Sequence, residues 1–278
     1  MTQREWLSAA VRRLVAAGCE DAAFDARCLL EDFGGLLRGT APTDTPLSAE
    51  QSAALEQALC RREQGEPLQY ILGEWEFLAL SLRVGEGVLI PRPDTELLCE
   101  VAAEHLQGVD TPQVLDLCAG SGCVGLGLAS LCPQAQVTAV ELSEEALPYL
   151  RENVSRYPAL SVTVQKGNVL TDWGNHTATY DAILSNPPYI PTADLAGLMR
   201  EVQHEPRMAL DGSEDGLLFY RVIASHWCKQ LRTGGFCAVE VGIGQAQAVA
   251  ELFAAAGLKN CKIYPDLAGI PRVVTGEK

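Results

Sequence analysis

Residues 185–191 have the sequence Ser-Asn-Pro-Pro-Tyr-Ile-Pro, and they directly follow an apolar run at 180–184. A short apolar run of this kind predicts a buried strand. Each proline fixes its own φ and favours an extended conformation for the residue before it, so the chain leaving the strand is expected to be rigid. We call residues 186–189 the elbow. It presents Asn186 and Tyr189 in fixed directions.

The elbow offers hydrogen-bond acceptors beside an aromatic ring. Asn186 has a side-chain amide oxygen, and the Pro187 carbonyl lies beyond the strand, where sheet pairing does not use it. Neither Asn186 nor Tyr189 is a preferred metal ligand or a base near neutral pH. An Asn-Pro dipeptide alone is most often a turn. Two acceptors beside a ring, after an apolar strand, instead favour binding of a planar group that carries an NH2.

Strands and helices alternate from about residue 113, which predicts a doubly wound α/β domain. Strands are predicted at 114–118, 136–141, 161–165, 180–184 and 235–241, with an antiparallel pair at 260–264 and 272–275. Helices are predicted between them, at 123–131, 144–155, 217–231 and 245–256.

A ligand site is predicted at the carboxyl edge of this sheet, where the winding reverses. The residues placed there, besides the elbow, are Asp116, Cys118, Ala119, Gly120, Ser121, Gly122, Glu141, Asn168 and Val169. Glycines in the turn allow the backbone to approach a ligand closely. Glu141 follows that turn by about 20 residues, where an acid accepts hydrogen bonds from ribose hydroxyls. The pattern indicates a cofactor that contains adenosine.

The identity of that cofactor is a choice between two classes. Residues 120–125 match Gly-x-Gly-x-x-Gly, so a nicotinamide dinucleotide is one alternative. Asp116 favours the other, because a carboxylate just before the turn repels a pyrophosphate and attracts the sulfonium of S-adenosylmethionine. We therefore expect S-adenosylmethionine and no metal.

The first third of the chain has helical periodicity, with capping boxes beginning at Thr2 and Ser48. It contains no nucleophile, metal cluster or glycine-rich loop. We predict a helical substrate-recognition domain at 1–72, a hairpin linker at 73–88 and the α/β domain at 89–278. At the start of the last of these, Thr95 or Asp94 is expected to cap the helix that begins near Glu96.

Composition limits the class of partner. The chain has 278 residues and a formal net charge of −15, which repels nucleic acid, so no direct nucleic-acid binding is expected. No apolar run reaches the length of a membrane span, and the N-terminus lacks a signal-peptide pattern. We expect a cytoplasmic monomer with no membrane partner.

The cysteines and histidines do not suggest a metal site. The ten cysteines contain no Cys-x-x-Cys pair, and most lie in apolar stretches, which favours buried reduced thiols over disulfides or zinc. His105, His176, His204 and His226 adjoin no cysteine or histidine at metal-ligand spacing.

Residues 116–122, Glu141 and the elbow resemble class I S-adenosylmethionine methyltransferases that methylate planar amino groups. More narrowly, the chain resembles the PrmC/HemK family over nearly its whole length. The motifs that carry this resemblance are Tyr-Ile-Leu-Gly at 70–73, Leu-Ile-Pro-Arg-Pro-Asp-Thr-Glu at 89–96, Ser-Asn-Pro-Pro-Tyr-Ile-Pro at 185–191, Glu-Pro at 205–206, Asp-Gly-Leu at 215–217 and Asp-Leu-Ala-Gly at 266–269.

The resemblance implies a class I (Rossmann-like) methyltransferase domain and a substrate. The substrate is the side-chain amide nitrogen, N5, of the glutamine in the Gly-Gly-Gln motif of peptide chain release factors. It implies that Asn186 and Pro187 accept the two N–H bonds of that amide, and that Pro188 and Tyr189 complete the substrate site, with Tyr189 on the amide plane. Asn186 is also expected beside the cofactor.

Two positions depart from the family pattern. Cys118 stands where glycine is usual, and Asn168 stands where aspartate is common. The first leaves the backbone of the turn less freedom, and the second removes one charge near the adenine.

Two other functions are compatible with parts of the pattern. Methylation of adenine N6 in DNA uses a similar planar NH2, but it requires base flipping and a basic strand-binding surface, against which the net charge argues. A regulator that binds the donor without chemistry is the second, and binding without turnover would identify it.

Overall fold

The computed structural model describes residues 1–175 and 179–278, so His176 lies outside the described residues. The chain divides into two compact units. The N-terminal unit comprises Met1–Glu74 with Met199–His204, and the α/β unit comprises Trp75–Leu198 with Glu205–Lys278. The segment 199–204 therefore belongs with the N-terminal helices, although more than a hundred residues separate it from them in the chain.

The N-terminal unit contains the helices α1 (Gln3–Ala16), α2 (Ala22–Phe33), α3 (Ala49–Glu63) and α4 (Leu68–Leu72). Both predicted capping boxes are confirmed. Thr2 Oγ1 accepts the Glu5 N–H while Glu5 accepts the Thr2 N–H, and Ser48 and Gln51 form the same reciprocal pair. Leu14, Leu29 and Leu55 are completely buried, so the apolar faces of the three long helices form the core of this unit.

A two-stranded sheet follows, made of β1 (Glu74–Phe77) and β2 (Leu80–Arg83), as the hairpin prediction required. The remaining elements are α5 (Glu96–His105), β3 (Gln113–Leu117), α6 (Cys123–Leu131), β4 (Gln136–Glu141), α7 (Ala146–Arg156), β5 (Val162–Lys166), β6 (Tyr180–Ser185), α8 (Arg207–Leu210), α9 (Leu218–Ser225), β7 (Leu231–Glu240), α10 (Ala246–Ala255), β8 (Lys259–Pro265) and β9 (Pro271–Glu277).

Seven strands form the main sheet in the order β5-β4-β3-β6-β7-β9-β8. The first five in this order are parallel, and β9 is antiparallel to both β7 and β8. From β3 the chain winds outward to β5 and then returns to β6 on the other side of β3. The winding therefore reverses between β3 and β6, which is where ligands of such sheets bind. The predicted doubly wound α/β fold is confirmed.

The central strands are buried on both faces. All six residues of β6 are buried. Ala182 and Leu184 belong to one apolar cluster, and Ile183 belongs to another on the opposite face. Helices cover both faces of a parallel sheet, so its strands are continuous apolar runs. The prediction of a buried strand before the elbow is confirmed.

The predicted helix at 217–231 is wrong at its C-terminal end. The helix α9 ends at Ser225, a 3-10 turn follows at Trp227–Gln230, and Leu231 already begins β7. The Trp227 side chain is completely buried and donates from Nε1 to the Val169 carbonyl. This tertiary anchor interrupts a helical pattern that is continuous in the sequence.

All ten cysteines have free thiols. Within residues 1–175 and 179–278, no group of three or more His, Cys, Asp or Glu side chains is arranged to hold a metal ion. Over the same ranges, no helix combines the length and the apolar character that crossing a membrane requires.

Candidate functional site

A cavity of about 260 Å³ lies beyond the carboxyl ends of β3, β4, β5 and β6. The predicted site residues that line it are Cys118, Ala119, Gly120, Ser121, Glu141, Asn168, Val169, Asn186 and Pro188. Residues 87–92, Thr95, Pro206, Met208 and Ala209 also line the cavity. The structure thus brings the turn, the strand-end acid and the elbow together around one space, whereas Asp116, Gly122, Pro187 and Tyr189 lie outside this lining.

The turn after β3 has left-handed backbone at three positions, with φ of +60° at Cys118, +55° at Gly120 and +85° at Gly122. A Cβ atom placed on Gly120 would meet no described atom within 4 Å, so a side chain there would enter the cavity. Glycine at this position keeps the space open and exposes the backbone to a ligand. At Cys118 the left-handed conformation is unfavourable, since the residue has a Cβ.

Glu141 ends β4, and its buried carboxylate accepts three backbone N–H groups. Oε2 accepts from Gly120 at 2.7 Å, and Oε1 accepts from Leu142 at 2.8 Å and Ser143 at 2.7 Å. These bonds fix the carboxylate at the cavity wall and tie the glycine turn to the end of β4. A carboxylate has about four lone-pair sites, so one remains for a ligand hydroxyl rather than the two bonds expected from the sequence.

Asp116 lies in β3 just before the turn and does not line the cavity. Its side chain is completely buried behind the turn, and Oδ2 accepts the Gly125 N–H at 2.9 Å. Oδ1 has no hydrogen-bond partner among the described residues. Burial raises the pKa of Asp116 to about 8. The carboxyl group lies outside the cavity lining, and its contact with a sulfonium stays a prediction.

Asn168 and Val169 follow β5 at the edge of the cavity. Asn168 Oδ1 accepts the Leu170 N–H at 2.9 Å, and its own N–H donates to Asp172. The Val169 side chain is buried, and its carbonyl accepts the Trp227 Nε1–H bond. These hydrogen bonds hold the short turn in place.

The elbow leaves two acceptors unused. Neither Asn186 Oδ1 nor the Pro187 carbonyl accepts a hydrogen bond from any residue that the structure describes. The elbow itself is held from outside, since the Ile190 N–H donates to the Leu210 carbonyl and Gln245 Nε2 donates to the Tyr189 carbonyl at 2.8 Å. The predicted pair of acceptors thus exists on a fixed piece of backbone.

The nitrogen of the Asn186 side chain is bound to two residues that sequence reasoning did not assign to the site. Nδ2 donates to Thr95 Oγ1 at 3.1 Å, and the Thr95 hydroxyl donates to Glu240 Oε2 at 2.5 Å. Tyr189 Oη lies 3.4 Å from Glu240 Oε1, which is longer than an ordinary O–H···O hydrogen bond. Thr95 precedes α5 but makes no side-chain cap to it, so the predicted cap by Thr95 is wrong.

Glu240 is the last residue of β7 and is almost completely buried. Burial raises the pKa of Glu240 to about 7, and the Thr95 hydroxyl opposes this rise. Burial, with the nearby Glu240 charge, also raises the pKa of Tyr189, so this phenol is neutral at physiological pH. The only sequence signal for Glu240 was a charged residue at the end of an otherwise apolar strand.

Arg92 and Glu205 form an ion pair beside the cavity. The Glu205 carboxylate is buried and also accepts the Ile90 N–H at 2.9 Å. This pair joins the proline-flanked segment at 90–93 to the start of residues 205–210. Chemically, the site offers a cavity with an acid at its wall, and Asn186, which carries one of the two unused acceptors, also lines it.

Two family models match the chain. Residues 5–73 match the model of the PrmC N-terminal domain, and residues 94–213 match that of the methyltransferase small domain. The two matches together cover most of both units.

Curated relatives match over nearly their full length. A release factor glutamine methyltransferase of Geobacter sulfurreducens is 43% identical over 266 residues, covering 95% of this chain and 92% of the relative. One of Moorella thermoacetica is 40% identical over 276 residues, covering 98% and 97%. A solved methyltransferase from Pyrococcus furiosus is similar in fold, with a TM-score of 0.52 at 16% identity, covering 83% of this chain and 99% of that one.

Proposed function

The chain belongs to the family of release factor glutamine methyltransferases, and from this premise we propose its reaction. The enzyme transfers a methyl group from S-adenosylmethionine to the side-chain amide nitrogen, N5, of the glutamine in the Gly-Gly-Gln motif of peptide chain release factors. The relatives' names supply the class of substrate. The geometry of the elbow supplies the reason why an amide fits.

The observation that carries the proposal is the pair of free acceptors, Asn186 Oδ1 and the Pro187 carbonyl. A primary amide has two N–H donors on one nitrogen, and two acceptors on neighbouring groups can bind both. Binding both donors fixes the nitrogen and its plane. The Tyr189 ring is neutral and anchored through its backbone by Gln245, and we propose that it packs on this plane.

The proposed reaction requires the protein to activate a poor nucleophile. The lone pair of an amide nitrogen is delocalised into the carbonyl, as in a peptide bond. When the nitrogen attacks the methyl carbon, an N–C bond forms, the S–C bond breaks and positive charge develops on nitrogen. Acceptors aimed at the N–H bonds stabilise that charge. Alignment of the reacting atoms supplies much of the rate, and the proton leaves to solvent after transfer.

S-adenosylmethionine, when bound, supplies an electrophilic methyl on a positively charged sulfur. The cavity fits such a molecule on three observations. Gly120 leaves open space above its backbone, and the buried Ser121 Oγ has no partner in the described ranges. The Glu141 carboxylate retains capacity for a ribose hydroxyl. We assign the donor to this cavity, and the proposed reaction uses no metal.

The wider setting of the proposal follows from the substrate. A release factor acts in translation, so the proposed site of action is the cytoplasm. The proposed enzyme works as a monomer on a protein partner, with no direct binding to nucleic acid or membrane. We assign recognition of that partner to residues 1–72, on the support of the match to the PrmC N-terminal domain. Hydrogen exchange of the full chain, with and without release factor, tests this: slowed exchange should appear within residues 1–72.

The reaction is tested by intact-mass spectrometry of a release factor incubated with the protein and S-adenosylmethionine. One added methyl is expected, and fragmentation should locate it on the Gly-Gly-Gln glutamine. Asn186→Ala should abolish transfer while donor binding, measured by calorimetry, stays near normal. Near-normal turnover by this variant would contradict the assignment of the elbow.

Two controls separate the alternatives. A release factor in which that glutamine is replaced by glutamate should gain no methyl. A DNA duplex containing adenine, incubated in parallel, should gain none either, and a methyl on adenine N6 would replace the proposed substrate. Donor binding with no methyl on either substrate would point to a regulator.

A further inference from the structure

In the hydrogen bonds that join Asn186, Thr95 and Glu240, the donor and the acceptor can be assigned. An ionised carboxylate only accepts hydrogen bonds, and a threonine hydroxyl has one proton. When Glu240 is ionised, the Thr95 proton is therefore committed to Glu240 Oε2, which lies 2.5 Å away. The Thr95 oxygen is left as an acceptor towards Asn186. Only the NH2 end of the Asn186 amide can satisfy it, and that is the end 3.1 Å away.

This assignment decides which atom of Asn186 faces the substrate. The oxygen and nitrogen ends of an asparagine amide have nearly the same shape, so packing alone distinguishes them poorly. In the opposite orientation, Asn186 would present N–H donors to the N–H donors of the substrate amide. An acceptor behind Nδ2 disfavours that orientation and leaves Oδ1 free.

We propose that Thr95 and Glu240 are positioning residues that hold the Asn186 amide with its oxygen towards the substrate nitrogen. This inference rests on the proposed function of the elbow and extends it to residues that do not touch the substrate. Neither residue needs to move or to exchange a proton during the reaction.

The two residues are suited to this role by their burial and anchoring. Thr95 is completely buried, and Glu240 is 2% exposed, so water does not compete for either group. Glu240 ends a central strand, and its backbone carbonyl accepts the Tyr220 hydroxyl at 2.8 Å. Thr95 lies at the start of α5, in the segment that the Arg92–Glu205 ion pair holds. The orientation of Asn186 is thus set by two separate rigid elements.

Three threonine variants of the full-length protein test the proposal. Thr95→Val keeps the shape and removes the hydroxyl, Thr95→Ser keeps the hydroxyl, and Thr275→Val makes the same change at a threonine on β9 that is equally buried. Assays at about pH 9 ensure that Glu240 is ionised. Folding of each variant is checked by circular dichroism and by calorimetric binding of S-adenosylmethionine, and Thr95→Ala replaces Thr95→Val if the latter does not fold.

Thr95→Val should lower kcat on the release factor about tenfold, the rate equivalent of one ordinary hydrogen bond, with donor affinity within about twofold of wild type. Thr95→Ser should restore most of kcat, and Thr275→Val should match wild type. Equal kcat for Thr95→Val and Thr275→Val would overturn the proposal. So would equal losses in Thr95→Val and Thr95→Ser, because the hydroxyl would then not be the cause.

A second readout does not depend on turnover. In protein labelled with ¹⁵N-asparagine, Asn186→Ala identifies the Asn186 side-chain amide signals by their loss. Those protons should exchange with solvent more slowly in wild type and Thr95→Ser than in Thr95→Val. If wild type methylates no release factor, the proposed function fails while this comparison still decides the orientation. Equal exchange in all three proteins overturns the inference alone.

Discussion

A Cβ atom on Gly216 would lie 2.3 Å from the carbonyl oxygen of Tyr189 and 2.5 Å from Gln245 Nε2, which donates to that same oxygen. Gly216 also has a φ of +72°, in the left-handed region. The backbone behind the elbow is therefore packed directly against a glycine. No side chain fits there without displacing Tyr189.

Gly216→Ala should accordingly reduce both stability and methyl transfer. The left-handed conformation alone costs about 1 to 2 kcal/mol for a residue with a Cβ, and the contact with Tyr189 adds to it. Gly257→Ala is the matched control, because Gly257 has a φ of +91° but no described atom lies within 4 Å of its Cβ position. Urea unfolding and single-turnover rates of both variants measure the two effects. Equal stabilities of the Gly216→Ala and Gly257→Ala variants would show that Tyr189 moves away from the added Cβ at no energetic cost.

Arg62→Met should strongly destabilise the protein. The Arg62 guanidinium is buried, and it bonds Asp25 at 2.7 Å and Glu201 at 2.9 Å. Removing the cation leaves Asp25 as an uncompensated buried charge, which costs about 3 to 5 kcal/mol. Arg61→Met removes the neighbouring, more exposed pair with Glu66 and should cost less than about 1 kcal/mol. Denaturant unfolding measures the stability of the two full-length variants. Similar losses of stability would contradict the greater importance of the buried pair.

Asp116→Asn should change how stability depends on pH. The folded-state pKa of Asp116 is raised to about 8, so the folded protein binds this proton more tightly than the unfolded chain does. The stability contribution is complete below about pH 4 and is lost as the pH rises through 8. The asparagine side chain does not titrate, so the variant lacks this pH-dependent contribution to stability. Between about pH 5 and pH 9, the stability of the variant relative to wild type should therefore increase, on the order of a few kcal/mol. Parallel stability curves for the two proteins would contradict the raised pKa.

Cys118→Gly should be more stable than Cys118→Ala, which reverses the usual order. Both variants remove the thiol, but only alanine keeps a Cβ in the left-handed conformation at φ +60°. The difference should be roughly 1 kcal/mol in favour of glycine. Thermal unfolding without ligand measures it. A more stable alanine variant would mean that the turn changes conformation to accommodate the Cβ.

The fold was predictable where local pattern and tertiary packing agree. The apolar run at 180–184 became β6, and the capping boxes at Thr2 and Ser48 begin α1 and α3 as predicted. The end of α9 was not predictable, because burial of Trp227 against Val169 stops a pattern that looks helical in sequence. The type of each element follows from the local sequence, whereas the end of α9 depends on a tertiary contact.

The candidate site also contains some residues that the sequence indicates and others that it does not. Gly120 and the elbow lie in motifs that sequence spacing reveals. Thr95 and Glu240 are 145 residues apart, and nothing near either one indicates that they meet. The position of Asp116 before the turn is visible in the sequence, but the direction of its side chain depends on tertiary packing, in which Oδ2 accepts the Gly125 N–H.

Residues 199–204 belong to the N-terminal unit, while the chain on both sides of them belongs to the α/β unit. The polypeptide therefore passes between the units three times rather than once. A chain truncated before Trp75 would retain Glu201 but lose Arg62, its buried ion-pair partner. We therefore expect an isolated fragment beginning at Trp75 to be a poor substitute for the whole protein in binding or activity studies.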